Sequence, residues 1–148
     1  MSPAHAFTLI SSDFQDSGKI PTQFTCHGDD TSPALSWSNA PANTKTFVLG
    51  VEDPDAPSGT FIHWVVYNIP ATVLGFPQGS QQGIGGLNSF RNQSYGGPCP
   101  PSGVHHYIFT LYALDTELTL ASPATLDDIK KAMSSHVLGT ATLTGLYP

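Results

Sequence analysis

The chain has 148 residues and a net charge of −6, with only five basic residues, so it is one domain spanning 1–148. A nucleic-acid binder needs a basic stripe to displace counterions, and an anionic membrane surface needs a basic patch; neither is present. Charged residues make up 11% of the chain, against about 25% in an average domain, and 14 Gly and 13 Pro are spread along it. That balance predicts many short strands joined by specified turns, not a helical bundle.

The segment 7–11 (FTLIS) reads as a first short strand and 16–19 (DSGK) as a turn. Residues 20–25 are extended but carry Pro21, so at best they form an edge segment. The polar loop 26–33 (CHGDDTSP) leads to a short strand at 35–37 and a turn at 39–43 (NAPAN). TFVLGV at 46–51 is rich in β-branched and aromatic residues, as strands are.

The stretch 52–68, EDPDAPSGTFIHWVVYN, carries the first chemistry. Asp53 and Asp55 sit on a proline-stiffened turn, and His63 opens the apolar run 61–69. Strict alternation puts His63, Val65, Tyr67 and Ile69 on one face and Trp64, Val66 and Asn68 on the other. Both faces are largely apolar, which predicts a central strand covered on both sides. Residues 70–94 are rich in Gly, Gln and Ser and show little periodicity, as long functional or mobile excursions do.

The loop 95–103 (YGGPCPPSG) precedes a second strong strand at 105–115, HHYIFTLYALD. There His105, Tyr107, Phe109 and Leu111 share one face. A helix is predicted from Thr125 to Gly139. Thr125 is its N-cap with Asp128 at N3, Ile129, Ala132, Met133 and Val137 form its apolar face, and Gly139 ends it. TATLTGL at 140–146 reads as a final half-exposed edge strand. The sum is an antiparallel β-sandwich with one C-terminal helix.

Each strong strand opens with a histidine and follows a proline-rich loop. If the two run in the same sense, His63 and His105 meet at one end of the sheet beside Tyr107. Asp53 or Asp55 then accepts a hydrogen bond from an imidazole and fixes its tautomer. Backbone amides of Gly96 and Gly97 add donors in a nest. The set suits one small anion.

The competing readings are two core histidines satisfied by backbone groups and a metal site of two histidines and a carboxylate. The Asp-Pro-Asp turn and the distant histidines lack a metal motif's spacing, so no metal or other cofactor is expected. His27, Asp29 and Asp30 read as solvated. Asp127 and Asp128 read as helix-start residues and His136 as a residue near the helix C-terminus; Arg91 either salt-bridges an internal carboxylate or reaches the pocket, and the structural role is favoured. Cys26 and Cys99 are either two reduced thiols or one disulfide, and sequence does not decide between them.

The N-terminus MSPAHAFTLISSDF lacks the basic region and apolar core of a signal peptide, and no run nears the roughly 20 apolar residues of a membrane span. The expected compartment is the cytoplasm.

The segments SPALSW (32–37), DPDAP (53–57), HWVVYNIP (63–70), YGGPCPP (95–101) and HHYIFTLYALD (105–115) resemble the phosphatidylethanolamine-binding protein family, also called Raf-kinase-inhibitor-like proteins. The GPCPP form and compact length look like its bacterial and archaeal branch. The resemblance implies a large antiparallel sheet packed on a smaller one, with helical structure near the C-terminus and an anion pocket at one end. Carried over position by position, it places Asp53, His63, His105 and Tyr107 at the pocket lining and Gly97 and Pro101 in the pocket loop. Asp55 and Pro57 shape the first loop.

The ligand so implied is a phosphate or a phospholipid head group such as phosphoethanolamine, bound without covalent chemistry. The resemblance also implies pairing as homodimers and, in some members, inhibition of a kinase or protease partner. Inhibition through the surface is the first alternative function. Hydrolysis of an ester or phosphoester is the second, with Cys99 the one nucleophile to consider. The sequence departs from the family at Phe90-Arg91-Asn92-Gln93-Ser94, where glycines and a basic residue are common. It departs again at His106, commonly basic; both positions lie at the pocket rim.

Overall fold

The computed structural model describes residues 6–148. Short strands β1 (Thr8–Ile10), β3 (Leu35–Ser38) and β6 (Gly75–Phe76) form a three-stranded sheet in the order β1-β3-β6. A six-stranded sheet holds β2 (Gly18–Lys19), β4 (Thr46–Asp53), β5 (Phe61–Pro70), β7 (Ile84–Gly85), β8 (His105–Leu114) and β9 (Val137–Tyr147), ordered β2-β9-β8-β4-β5-β7. Helix α1 (Leu126–Met133) covers the far face of the large sheet. The expected sandwich of a large sheet on a smaller one is present, with the helix as a third layer.

Alternation along β4 explains the layering. Phe47, Leu49 and Val51 point between the sheets, where Trp37 packs edge-on against Phe47 and Phe76 at 5.6 and 5.3 Å. Val48 points the other way, toward α1. Gly50 shares that side, and a Cβ there would meet the Leu126 side chain at 3.3 Å, so the missing side chain lets the helix approach. Leu126, Ile129 and Met133 are the buried face of α1. At roughly 1.5–3 kcal/mol per buried side chain, this packing holds an eight-residue helix that would be marginal alone. Thr125 and Asp128 form the expected capping box.

The helix is shorter than its sequence pattern predicts. It ends at Met133, and Val137, expected on its apolar face, instead opens β9 by pairing with Leu114. Ser134 and Ser135 propagate a helix poorly, while β9 gains a ladder along the whole of β8, from Val137 beside Leu114 to Tyr147 beside His105. Gly139 lies in that strand opposite Ala113 and is not a helix stop. Farther upstream, the edge segment expected at 20–25 is a 3-10 turn, Thr22–Phe24, entered through Pro21. The adjoining strand is β2, parallel to β9. The excursion at 70–94 contributes one short strand to each sheet, β6 and β7.

Strict alternation fails in β5, and the failure matters. Val51 pairs with Trp64 but Glu52 pairs with Ile62, so His63 is an extra residue in a β-bulge. Val65 and Tyr67 pack toward α1, whereas Trp64 and Val66 point between the sheets. His63 was expected with Val65 and Tyr67. The bulge turns it to the Trp64 side, where its ring meets Tyr107 edge-on at 5.2 Å. A second shift near Asn68, at φ 53°, moves Ile69 to that side as well.

Cys26 and Cys99 form a disulfide with Cα atoms 5.4 Å apart, closing a separation of 73 residues. Confining an unfolded loop of that length contributes about 4 kcal/mol in the chain-entropy model. Replacing both cysteines by serine is expected to lower stability by up to about that amount, read as a fall in the guanidinium midpoint. An unchanged midpoint would show that the bond does not stabilise the fold.

Candidate functional site

Strand β4 is antiparallel to both its neighbours, β5 and β8, so those two run in the same sense. The beginnings of β5 and β8 therefore lie beside the end of β4. That topology brings His63, His105 and Asp53 to one end of the sheet. The Asp53–Pro57 turn and the 98–103 loop fold over this end. Between them lies a cavity of about 360 Å³ lined by Asp53, His63, His105, Tyr107, Ala56, Pro57, Phe61, Phe90, Cys99, Pro100 and Pro101.

The polar floor is a set of committed hydrogen bonds. His105 Nδ1 donates to Asp53 Oδ2 at 2.6 Å, and the two residues are only 6% and 3% exposed. The other oxygen of Asp53 accepts the Asp55 amide at 2.8 Å, which fixes the turn. His105 Nε2 faces the Ser102 carbonyl at 3.2 Å. Both partners of this ring are acceptors, so both bonds form together only in the imidazolium.

His63 differs. Its Nδ1 donates to the Gly96 carbonyl at 2.8 Å, and the Gly96 amide donates back to the His63 carbonyl at 3.0 Å. Among the described residues its Nε2 makes no side-chain hydrogen bond comparable to that of Nδ1. Burial pushes its pKa below the ordinary histidine value, a shift only partly opposed by the Gly96 carbonyl and the Asp53 charge.

Tyr107 stands between the two imidazoles, edge-on to His63 at 5.2 Å and stacked with His105 at 6.4 Å. Burial holds its hydroxyl protonated far above the ordinary tyrosine range. Among the described residues that hydroxyl is the one buried side-chain polar atom without a hydrogen-bond partner.

The remaining expected site residues take other places. Pro57 and Pro101 line the cavity. Asp55 does not; it accepts the His106 amide and Nδ1 at 2.8 and 2.7 Å, and the amide bond lowers its pKa. The two carboxylates of the turn thus serve two histidines, one inside and one at the rim.

Gly97 does not line the cavity, and no amide nest forms. Its N–H donates to Asp30 Oδ1 at 2.8 Å, and the Gly96 N–H is engaged with His63. Gly97 is needed because a Cβ there would overlap the Phe24 carbonyl and the Asp30 carboxylate. Asp30, read as solvated, therefore anchors the pocket loop.

Arg91 makes no ion pair among the described residues. Its role is a backbone one, a left-handed residue at φ 65° whose amide closes a turn onto Asn88. His136 pairs with Asp115 at 2.8 Å, away from the cavity.

The resemblance put Phe90 at the pocket rim, while Phe61 was not expected at the site and neither ring was expected to pack on His63. Phe61 meets His63 at 5.0 Å and Phe90 at 4.8 Å, and Phe90 meets His63 at 5.5 Å. Phe61 carried a signal, lying two residues before His63 in the same strand. Phe90 lies in an irregular segment whose path no periodicity reveals.

Removing one member of a buried pair leaves the other uncompensated. Asp53→Ala is expected to cost about 3–5 kcal/mol, measured by urea denaturation, whereas Asp55→Ala at the rim should leave the urea midpoint nearly unchanged. Equal effects would show that the buried pair is not the anchor of this end.

No helix among the described residues is long and apolar enough to cross a membrane. The family model for phosphatidylethanolamine-binding protein matches residues 10–148. A UPF0098 protein of Methanothermobacter thermautotrophicus is 47% identical over 144 residues, covering 90% of this chain and 93% of that one. The crystal structure of a phosphatidylethanolamine-binding protein homologue from Chlamydia trachomatis superposes with a TM-score of 0.93 at 39% identity, covering 97% of each chain. E. coli YbcL, described as a new member of the mammalian family, superposes with a TM-score of 0.89 at 32% identity, covering 97% of this chain and 98% of its own. A family model matched over nearly the whole chain, relatives of this identity and the shared fold agree: the chain belongs to the phosphatidylethanolamine-binding protein family.

Proposed function

We propose that the chain binds a small oxyanion, a phosphate monoester or the phosphate of a lipid head group, in the cavity between His63 and His105. The observation that carries this reading is the hydroxyl of the cavity-lining Tyr107, a buried donor with no partner among the described residues. Leaving such a donor unpaired costs about 1–3 kcal/mol, which a ligand oxygen offsets. His105 Nε2 is the second contact in this reading. Its 3.2 Å contact to Ser102 is long, so a charged oxygen can displace that carbonyl.

Binding without covalent change fits the groups present. The Asp53 carboxylate is engaged by His105 and by the Asp55 amide. Cys99, the thiol a hydrolase would need, is held in the disulfide. That bond also favours an oxidising compartment over the cytoplasm expected by default.

Titration calorimetry with phosphoethanolamine tests the reading. Wild type should bind, and Tyr107→Phe should bind about tenfold more weakly, the worth of roughly one hydrogen bond. His105→Ala should lose more. Vesicles bearing phosphatidylethanolamine, run in parallel, distinguish a lipid head group from the free phosphate ester. Absence of binding to either, or binding indifferent to both substitutions, would refute the proposal.

A further inference from the structure

The hydrogen-bond directions in the cavity constrain the ligand further, in an inference that rests on the anion reading above. The Gly96 carbonyl can only accept, so the proton of a neutral His63 ring must sit on Nδ1. The reciprocal Gly96 amide bond, and the Asn88 side-chain amide donating to the His63 carbonyl at 3.2 Å, hold that backbone in place. Turning the ring over would break the Nδ1 bond. A neutral His63 therefore presents a lone pair at Nε2, and a fully ionised oxyanion beside it would meet an acceptor.

We propose that the cavity takes an oxyanion together with one proton, which lies between a ligand oxygen and His63 Nε2. The proton comes from solvent when the ligand arrives fully ionised. It comes with the ligand when a phosphate monoester enters as its monoanion. No covalent bond is made or broken in either case, and charge balances because one negative charge is neutralised for each proton taken up.

The surroundings of His63 support this. Asp53 at the end of β4 and Asp30 in the 26–33 loop favour its cation. His105 and Tyr107 on β8 are the other titratable groups beside the cavity wall it shares, and Phe61 and Phe90 cover it with apolar surface. In the free protein burial outweighs the carboxylates, so the ring is neutral at neutral pH. An oxyanion at contact distance adds the charge that reverses this balance. The proton count then makes affinity depend on pH. Phosphate monoesters lose their second proton near about pH 6. Above that, affinity is expected to fall by up to about tenfold per pH unit, the slope for uptake of one proton.

Calorimetry of phosphoethanolamine binding near neutral pH, in buffers of different ionisation enthalpy, counts the protons. Wild type should take up close to one proton per ligand. His63→Gln, which cannot take a proton, should take up none and bind with little pH dependence. Binding by wild type without proton uptake, or uptake retained in His63→Gln, would overturn this inference and leave the anion reading standing. No binding would remove both. Nitrogen-15 spectra of the histidines in free wild type give a ligand-independent check. His63 should be neutral with its proton on Nδ1, and a cationic ring or the opposite tautomer at neutral pH would overturn the inference.

Discussion

Strand β4 lies between β5 and β8 and runs against both. That arrangement has one consequence for every functional side chain in the molecule. Two strands antiparallel to the same neighbour are parallel to each other, so residues far apart in sequence that open β5 and β8 come together where β4 ends. His63 and His105 are 42 positions apart in number, and Asp53 ends β4 between them. The buried Asp53–His105 pair then closes that end with a 2.6 Å hydrogen bond. The small sheet on one face and α1 on the other keep β4 dry along its length.

The two histidines occupy equivalent places but are chemically unlike. His105 faces a carboxylate at 2.6 Å and a carbonyl at 3.2 Å. His63 faces one carbonyl, and burial depresses its pKa. Between them stands a phenol that keeps its proton. The cavity floor is therefore not a uniform cluster of positive charge. It is an imidazole paired with a buried carboxylate, an unpaired hydroxyl and a second imidazole bonded through Nδ1, under walls of proline and phenylalanine. Its loops are fastened to the 26–33 segment. Asp30 holds the Gly97 amide, and Cys26 holds Cys99.

Much of this was legible in the chain. Alternation in β8 placed His105 and Tyr107 on the face they occupy, because that strand pairs through the cavity end without a bulge. The same rule misplaced His63, because one inserted residue in β5 reverses the side from which it projects. The Thr125–Asp128 capping box was readable because it depends on residues three apart. The end of that helix was not, because Val137 gains more from pairing with β8 than from one further turn. Asp30 offered no local sign of its role, since its partner Gly97 lies 67 residues away.

The sequence by itself determined the class of fold, the strong strands and the residues able to carry chemistry, because side-chain type and periodicity act over a few residues. Only the tertiary structure decided which carboxylate meets which imidazole and which histidine keeps a free nitrogen. It also decided that the two cysteines are joined and that Phe61 and Phe90 enclose the site. Those outcomes depend on strand register, on one bulge and on contacts between distant loops. They are fixed when the sheets pack, because a displacement of one residue exchanges the two faces of a strand.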